Sequence, residues 1–315
     1  MSMKKVEDML KELGLPGRDR YDLPSSTKTF PDGAHYRMEV SGVERPEVLK
    51  ALIEERNRRG IPIHRLIAMV MGATLLDDVE LKEFAQMASE EGLEVIVTPG
   101  PRSSWDVGRQ ITTPEGALSG LNFRGADQLN FVIDDIMRCI ELGFRGFLVV
   151  DEGLLWALNE LKKKDYIPED VVFKVSIYAG CGSPAGAHLL ESLGANTFNP
   201  LGDLSLPQFA SLRTATSLPI DVHVYLSESF GGYARFYETP EFARICAPCY
   251  FKIEPGPALA ISTGLYKPWT SIDLLSFLVR EKVKYAEIIH QIIQKNNKDL
   301  KLSEQRPEDL AIPKP

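Results

Sequence analysis

Asp221-Val222-His223-Val224-Tyr225 is the stretch whose reading decides the fold. Polar and apolar residues alternate in it, so Asp221, His223 and Tyr225 share one face of an extended strand while Val222 and Val224 share the other. Three more runs repeat the pattern. His35-Tyr36-Arg37-Met38-Glu39-Val40 sets Arg37 and Glu39 on one face. Val172-Phe173-Lys174-Val175-Ser176-Ile177 does the same with Lys174 and Ser176, and Tyr250-Phe251-Lys252-Ile253-Glu254 with Lys252 and Glu254. In a closed parallel barrel the apolar faces meet surrounding helices and the polar faces fill the interior. An unpaired charge there costs several kcal/mol, so a chain that turns this many inward is building a site.

Working outward, strand-like and helix-like segments alternate along the chain. Strands are expected at 35–41, 64–72, 93–98, 145–151, 171–178, 195–199, 219–226 and 249–254. Helices are expected at 46–59, 77–91, 126–142, 153–163, 184–193, 205–215, 239–246 and 271–296. Pro46 and Pro184 fit first-turn positions, and Gly60, Gly92, Gly143 and Gly194 fit C-caps. Eight strands and eight helices in strict order predict an α/β fold, a single-domain (β/α)8 TIM barrel over 35–296. A short helix at 5–14 belongs to an N-terminal extension, 1–34, and 297–315 is expected to be an extended C-terminal tail. No G-x-G-x-x-G follows the first strand, as a dinucleotide-binding open sheet would require.

The 315 residues are 44% apolar and 25% charged, with a net charge of −8 and a pI near 5.3. That balance argues against bulk nucleic-acid binding. The longest apolar stretch, Leu66 to Leu76, is too short to span a bilayer. Four cysteines in a chain this long make no disulfide framework, and no signal-peptide core opens the sequence. The expectation is a reduced, cytoplasmic protein. The apolar face of the last helix leaves room for a homodimer contact.

Depth along a strand sorts the inward residues. Arg37, Lys174, Asp221 and Lys252 are expected deeper. Glu39, Ser176, Tyr178, His223, Tyr225 and Glu254 are expected nearer the mouth. A desolvated lysine has a lowered pKa and serves as a base or Schiff-base former, so Lys174 is a catalytic candidate. His223, Glu254 and Asp151 are the others, as general acid–base groups; His223, Glu254 and Glu39 together would suit a divalent metal. The turn Ala179-Gly180-Cys181-Gly182-Ser183-Pro184 lets backbone approach a ligand, with Ser183 as N-cap; Gly180, Gly182 and Ser183 are candidate anion-binding positions. Two long connections, Pro99–Gly125 and Ser227–Thr239, follow strand C-termini, where barrel active sites lie. The first contains Arg102, Trp105, Arg109 and Arg124. Arg102 is a candidate for an anionic small-molecule or peptide substrate. Cys246-Ala247-Pro248-Cys249 is a lone C-x-x-C pair.

From Gly146 to Glu254 the chain resembles the barrel domain of the collagenase-like peptidase family U-32. The resemblance rests on Val149-Val150-Asp151, on Leu154-Leu155, on Ser183-Pro184-Ala185-Gly186-Ala187 with Leu190-Glu191-Ser192-Leu193-Gly194-Ala195, on Leu204-Ser205-Leu206, and on Asp221-Val222-His223. Cys246-Ala247-Pro248-Cys249 is similar to the family's Cys-Ala-Gln-Pro-Cys signature, one residue short. The resemblance implies hydrolysis of a peptide or amide. Members holding an iron–sulfur cluster carry two further cysteines, where this chain has Ser227 and Ala234, so no cluster is expected. A metal-dependent lyase or aldolase, and a non-catalytic binding subunit, are the alternatives.

Overall fold

The structure is a computed structural model that describes residues 3–70, 72–100, 121–226, 232–254, 259–260, 265–266 and 271–315. Eight parallel strands close into a barrel: β1 (Tyr36–Val43), β2 (Arg65–Ala68), β3 (Glu94–Val97), β4 (Gly146–Val149), β5 (Val172–Val175), β6 (Thr197–Phe198), β7 (Ile220–Leu226) and, after a short β8 (Tyr233–Ala234), β9 (Cys249–Ile253). β9 lies between β7 and β1 and closes the ring, while β8 runs antiparallel beside the end of β7. A small hairpin, β10 (Leu259–Ala260) with β11 (Leu265–Tyr266), stands apart. The helices are α1 (Met3–Glu12), α2 (Pro46–Arg59), α3 (Asp78–Glu90), α4 (Gly125–Glu141), α5 (Glu152–Lys163), α6 (Pro184–Ser192), α7 (Leu206–Ala215), α8 (Thr239–Cys246) and α9 (Ile272–Asn296). The (β/α)8 expectation holds. Among the described residues no helix is long and apolar enough to cross a membrane.

Local chemistry explains the boundaries. Asp77 and Glu80 form a reciprocal capping box on α3, Ser183 caps α6 with Pro184 in the first turn, and Ser205 and Gln208 box α7. Gly60, Gly92, Gly143 and Gly194 all take positive φ just past their helices. One strand ends early. The sequence pattern carries β5 to residue 178, but it stops at Val175, and Ile177–Ala179 forms a 3₁₀ turn closed by Gly180 at φ 72°. Ser176 caps that turn by accepting a hydrogen bond from the Tyr178 amide at 3.3 Å. A short hydroxyl side chain competes well for backbone donors where a strand could otherwise continue.

The outward faces of the strands (Met38, Val40, Leu66, Val95, Phe147, Phe173, Phe198, Val222, Phe251) pack with the helices into the main core. The inward faces divide. On β2 to β5, Ile67, Ile96, Leu148 and Val172 make a separate apolar cluster. Arg65 and Glu94 at the starts of β2 and β3, Lys174 on β5, and the inward residues of β1, β6, β7 and β9 are charged or polar.

The C-terminal segment closes the N-terminal end of the barrel. Leu302 bridges to Tyr36, Gln305 bonds Ile63, and the Lys314 amide donates to the Gly143 carbonyl at 2.8 Å. Asp309 receives the buried Arg37 guanidinium through two hydrogen bonds at 2.6 and 2.9 Å. That bidentate, charge-assisted pairing accounts for Arg37, which also lies over Phe30, 3.9 Å from the ring centroid.

Candidate active site

One continuous row of paired residues crosses five strands: Glu94, Arg65, Glu39, Lys252 and His223. Their side chains all point inward, and charge alternates along the first four. Arg65 lies 3.1 Å from Glu94 and 3.4 Å from Glu39. The tilt of barrel strands carries Asp221 into the same layer. Asp221 takes Arg65 at 3.1 Å, the Lys174 ammonium, and the Thr197 hydroxyl at 2.7 Å. Lys174 also lies 2.9 Å from Glu39. Glu39, Lys174 and Asp221 have no solvent exposure.

This layer corrects the expected depths. Glu39 belongs to the deep network with Lys174, Arg65 and Asp221, not to the mouth beside His223 and Glu254. Burial pushes its carboxyl up, but Lys174, Lys252 and Arg65 outweigh that and bring it to about 2. Burial lowers the Lys174 ammonium despite Asp221 and Glu39. With both carboxylates on it, Lys174 has the surroundings of a structural cation. Arg65 and Glu94, which open β2 and β3, were not singled out from sequence. The signal was there: each starts an alternation whose next inward residue is apolar, Ile67 or Ile96.

Above the network lies a smaller group. His223 Nε2 is 3.5 Å from Glu254 Oε2, a contact at ion-pair distance. Neither ring nitrogen of His223 makes a hydrogen bond among the described residues, although the side chain is 2% exposed. Burial and then the charge of Lys252 hold its imidazole below the usual histidine range, so it is neutral at pH 7. Burial pushes the Glu254 carboxyl up, but His223, Lys252 and Lys282 bring it below the usual carboxylate range. Lys252 Nζ lies 3.3 Å from Asn199 Oδ1 and 3.9 Å from Glu39.

Lys282 was not foreseen. It comes from α9 and is buried, and its ammonium donates to the Ser41 carbonyl at 2.9 Å. Burial lowers it to about 8, against the pull of Glu254 and Glu44. Its sequence signal was a lysine inside the apolar stripe Val279, Val283, Ala286, Ile289. The Ser41 hydroxyl and the Tyr233 hydroxyl are also buried without hydrogen bonds among the described residues. Tyr225 stacks edge-on against Tyr285, ring centroids 5.2 Å apart, with Phe236 completing an aromatic group at the rim.

The other sequence candidates lie elsewhere. Asp151 caps α5, accepting from the Leu154 amide at 2.9 Å. Gly180, Gly182 and Ser183 form the turn into α6, where the Ser183 hydroxyl accepts from Gly186 at 3.2 Å. Arg102 lies outside the described residues. His223 and Glu254 offer two metal donors, but Glu39 is turned to the cations, and among the described residues no three His, Cys, Asp or Glu side chains converge to hold a metal ion. Cys246 and Cys249 are free and buried at the N-terminal end of β9, the end opposite the mouth. Burial pushes the Cys246 thiol up to about 12 and the Cys249 thiol well above the usual thiol range.

No family model matches the sequence, and none of the curated proteins matches it. Solved structures do. A putative fructose-1,6-biphosphate aldolase from Coccidioides immitis matches with TM-score 0.50 at 12% identity, covering 84% of this chain and 92% of that one. The YdjI aldolase from Escherichia coli K12 matches with TM-score 0.48 at 15% identity, covering 84% and 93%. A U32 peptidase matches with TM-score 0.43 at 16% identity, covering 74% and 96%. At such identities the likeness is one of fold alone, that of a (β/α)8 barrel.

Proposed function

We propose that this protein is a barrel enzyme that hydrolyses a small anionic amide- or peptide-like substrate by general acid–base catalysis at the C-terminal mouth. The observation that carries the reading is His223: a buried, neutral imidazole whose nitrogens make no well-formed hydrogen bond among the described residues, with Nε2 3.5 Å from the ionised Glu254 and Lys252 nearby. A buried polar group without a partner costs about 1–3 kcal/mol, a cost that a ligand would relieve.

In this reading His223 takes a proton from the attacking water. Glu254 stabilises the imidazolium that forms, and the proton passes to the leaving amine as the C–N bond breaks. Lys252 faces the developing oxyanion or the substrate's own carboxylate. The U-32 resemblance agrees with amide hydrolysis. One observation favours a lyase instead: Lys252 and Lys282 are both buried lysines whose charge acts on Glu254, and such a pair would stabilise an enolate after proton abstraction beside a carbonyl.

The test is a panel of N-acyl amino acids and dipeptides beside a panel of β-hydroxy carboxylates, with release of amine and of carbonyl product both followed. Amine release that falls by about 10²–10⁴ in His223→Ala supports the hydrolase. Carbonyl release with the same dependence makes it a lyase. Turnover that His223→Ala and Glu254→Gln leave unchanged would remove the dyad from the chemistry and favour a binding subunit.

A further inference from the structure

Two buried lysines on the barrel strands are held in different ways. Lys174 lies between two carboxylates, 2.9 Å from Glu39 and bonded to Asp221. Lys252 makes one hydrogen bond among the described residues, to Asn199 Oδ1 at 3.3 Å, and its ion-pair contact with Glu39 is long, at 3.9 Å. Asn199 is itself fixed. It follows β6, has no solvent exposure, and its backbone amide donates to the Val175 carbonyl at 2.9 Å. Its side-chain Nδ2 donates to the Asp221 carbonyl at 2.9 Å. A reversed side-chain amide would set oxygen against that carbonyl and an NH₂ group against the ammonium, and both contacts would repel. A neutral acceptor holds an ammonium in place without cancelling its charge, whereas a carboxylate does both. Lys252 is the register partner of His223 on β7, and after burial its charge is what keeps that imidazole neutral.

From this we infer that Asn199 is a positioning and specificity-determining residue, which fixes Lys252 as an un-neutralised cation beside His223 and so makes the mouth select a substrate with a carboxylate or similar anionic group. Without the amide, the remaining contact of the ammonium is Glu39, and Lys252 would join the deep layer as Lys174 does. The role in substrate choice rests on the reading of Lys252 given above, as the group that meets the substrate's negative charge.

The experiment follows the His223 imidazole by NMR pH titration and formate binding by calorimetry, on the full chain. In the native protein formate is expected to bind and, by neutralising Lys252, to raise the His223 pKa. No binding, or binding without that shift, overturns the assignment. Asn199→Asp keeps the side-chain shape and puts a carboxylate on the ammonium. It is expected to raise the His223 pKa and to weaken formate at least about tenfold. Asn199→Ser, smaller and uncharged, serves if the carboxylate variant misfolds. It should move both readouts in the same directions, and should leave the His223 pKa unchanged when made in Lys252→Met, because Asn199 acts through the lysine. An Asn199 that only supports the fold would lower stability and move neither readout, and that result overturns the assignment. So does a shift by Asn199→Ser that persists in Lys252→Met. Neither readout is turnover, so the two readings fail separately: the expected shifts with turnover unchanged in His223→Ala overturn the catalysis and keep the anion site.

Discussion

Replacing Lys174 by Met isolates the energetics of the buried network. The ammonium lies 2.9 Å from Glu39 and bonds Asp221, and all three side chains are sealed from solvent. In the native layer Arg65, Lys174 and Lys252 balance Glu39, Asp221 and Glu94. Without Lys174, Asp221 keeps Arg65 at 3.1 Å and the Thr197 hydroxyl, while Glu39 keeps Arg65 at 3.4 Å and Lys252 at 3.9 Å. Removing one partner of a buried pair costs about 3–5 kcal/mol, because the other charge stays buried. Lys174→Met is expected to lose that much in urea unfolding at pH 7. Lys174→Met with Asp221→Asn restores neutrality, and its loss should fall short of the summed single losses by about 1–3 kcal/mol. The pH dependence has a fixed sign. Folded Glu39 titrates at about 2, below the ordinary value of about 4.3. Its contribution is therefore present above the ordinary value and is lost as pH falls toward 2. In Lys174→Met the folded value rises toward the ordinary one, so that loss should be smaller and should be complete at a higher pH. A single-mutant loss under about 1 kcal/mol, or strictly additive losses, would refute the coupled network.

His64 gives a second acid-sensitive element. It is fully buried, accepts from the Met38 amide and donates to the Ser303 carbonyl, and burial lowers it to about 4. Its contribution, up to about 3 kcal/mol, is present above the ordinary histidine value and should fade as pH drops from about 6.5 toward 4; His64→Gln should flatten that window in unfolding titrations. Asp309→Asn should cost about 1–3 kcal/mol in denaturant unfolding, because Arg37 stays buried with a weakened partner. No loss would mean that the tail merely lies on the barrel. Replacing Lys252 by Met should raise the His223 pKa and Glu254→Gln should lower it, both read by NMR of the imidazole; shifts of the opposite sign would contradict the assigned surroundings. Native Cys246 and Cys249 should resist a thiol reagent until the protein unfolds, and rapid labelling would contradict their burial.

The alternation around Asp221, His223, Lys174 and Glu254 was enough to predict a barrel, because side-chain direction along a strand depends only on local backbone geometry. Caps and glycines gave the helix ends for the same reason: they act within one turn of the chain. His223 and Glu254 came out as neighbours because their strands are adjacent in the closed ring. Which charge meets which was decided only in three dimensions. Glu39 joined Lys174, Arg65 and Asp221 because strand tilt and register set depth in a barrel, and neither is written in any one strand. Lys282 entered from a helix packed outside the ring, and Asp309 reached Arg37 across 272 residues of chain. Those pairings depend on how whole elements stack, so the sequence determined that charges would be buried, and tertiary structure decided which of them cancel and leaves His223 without a hydrogen bond among the described residues.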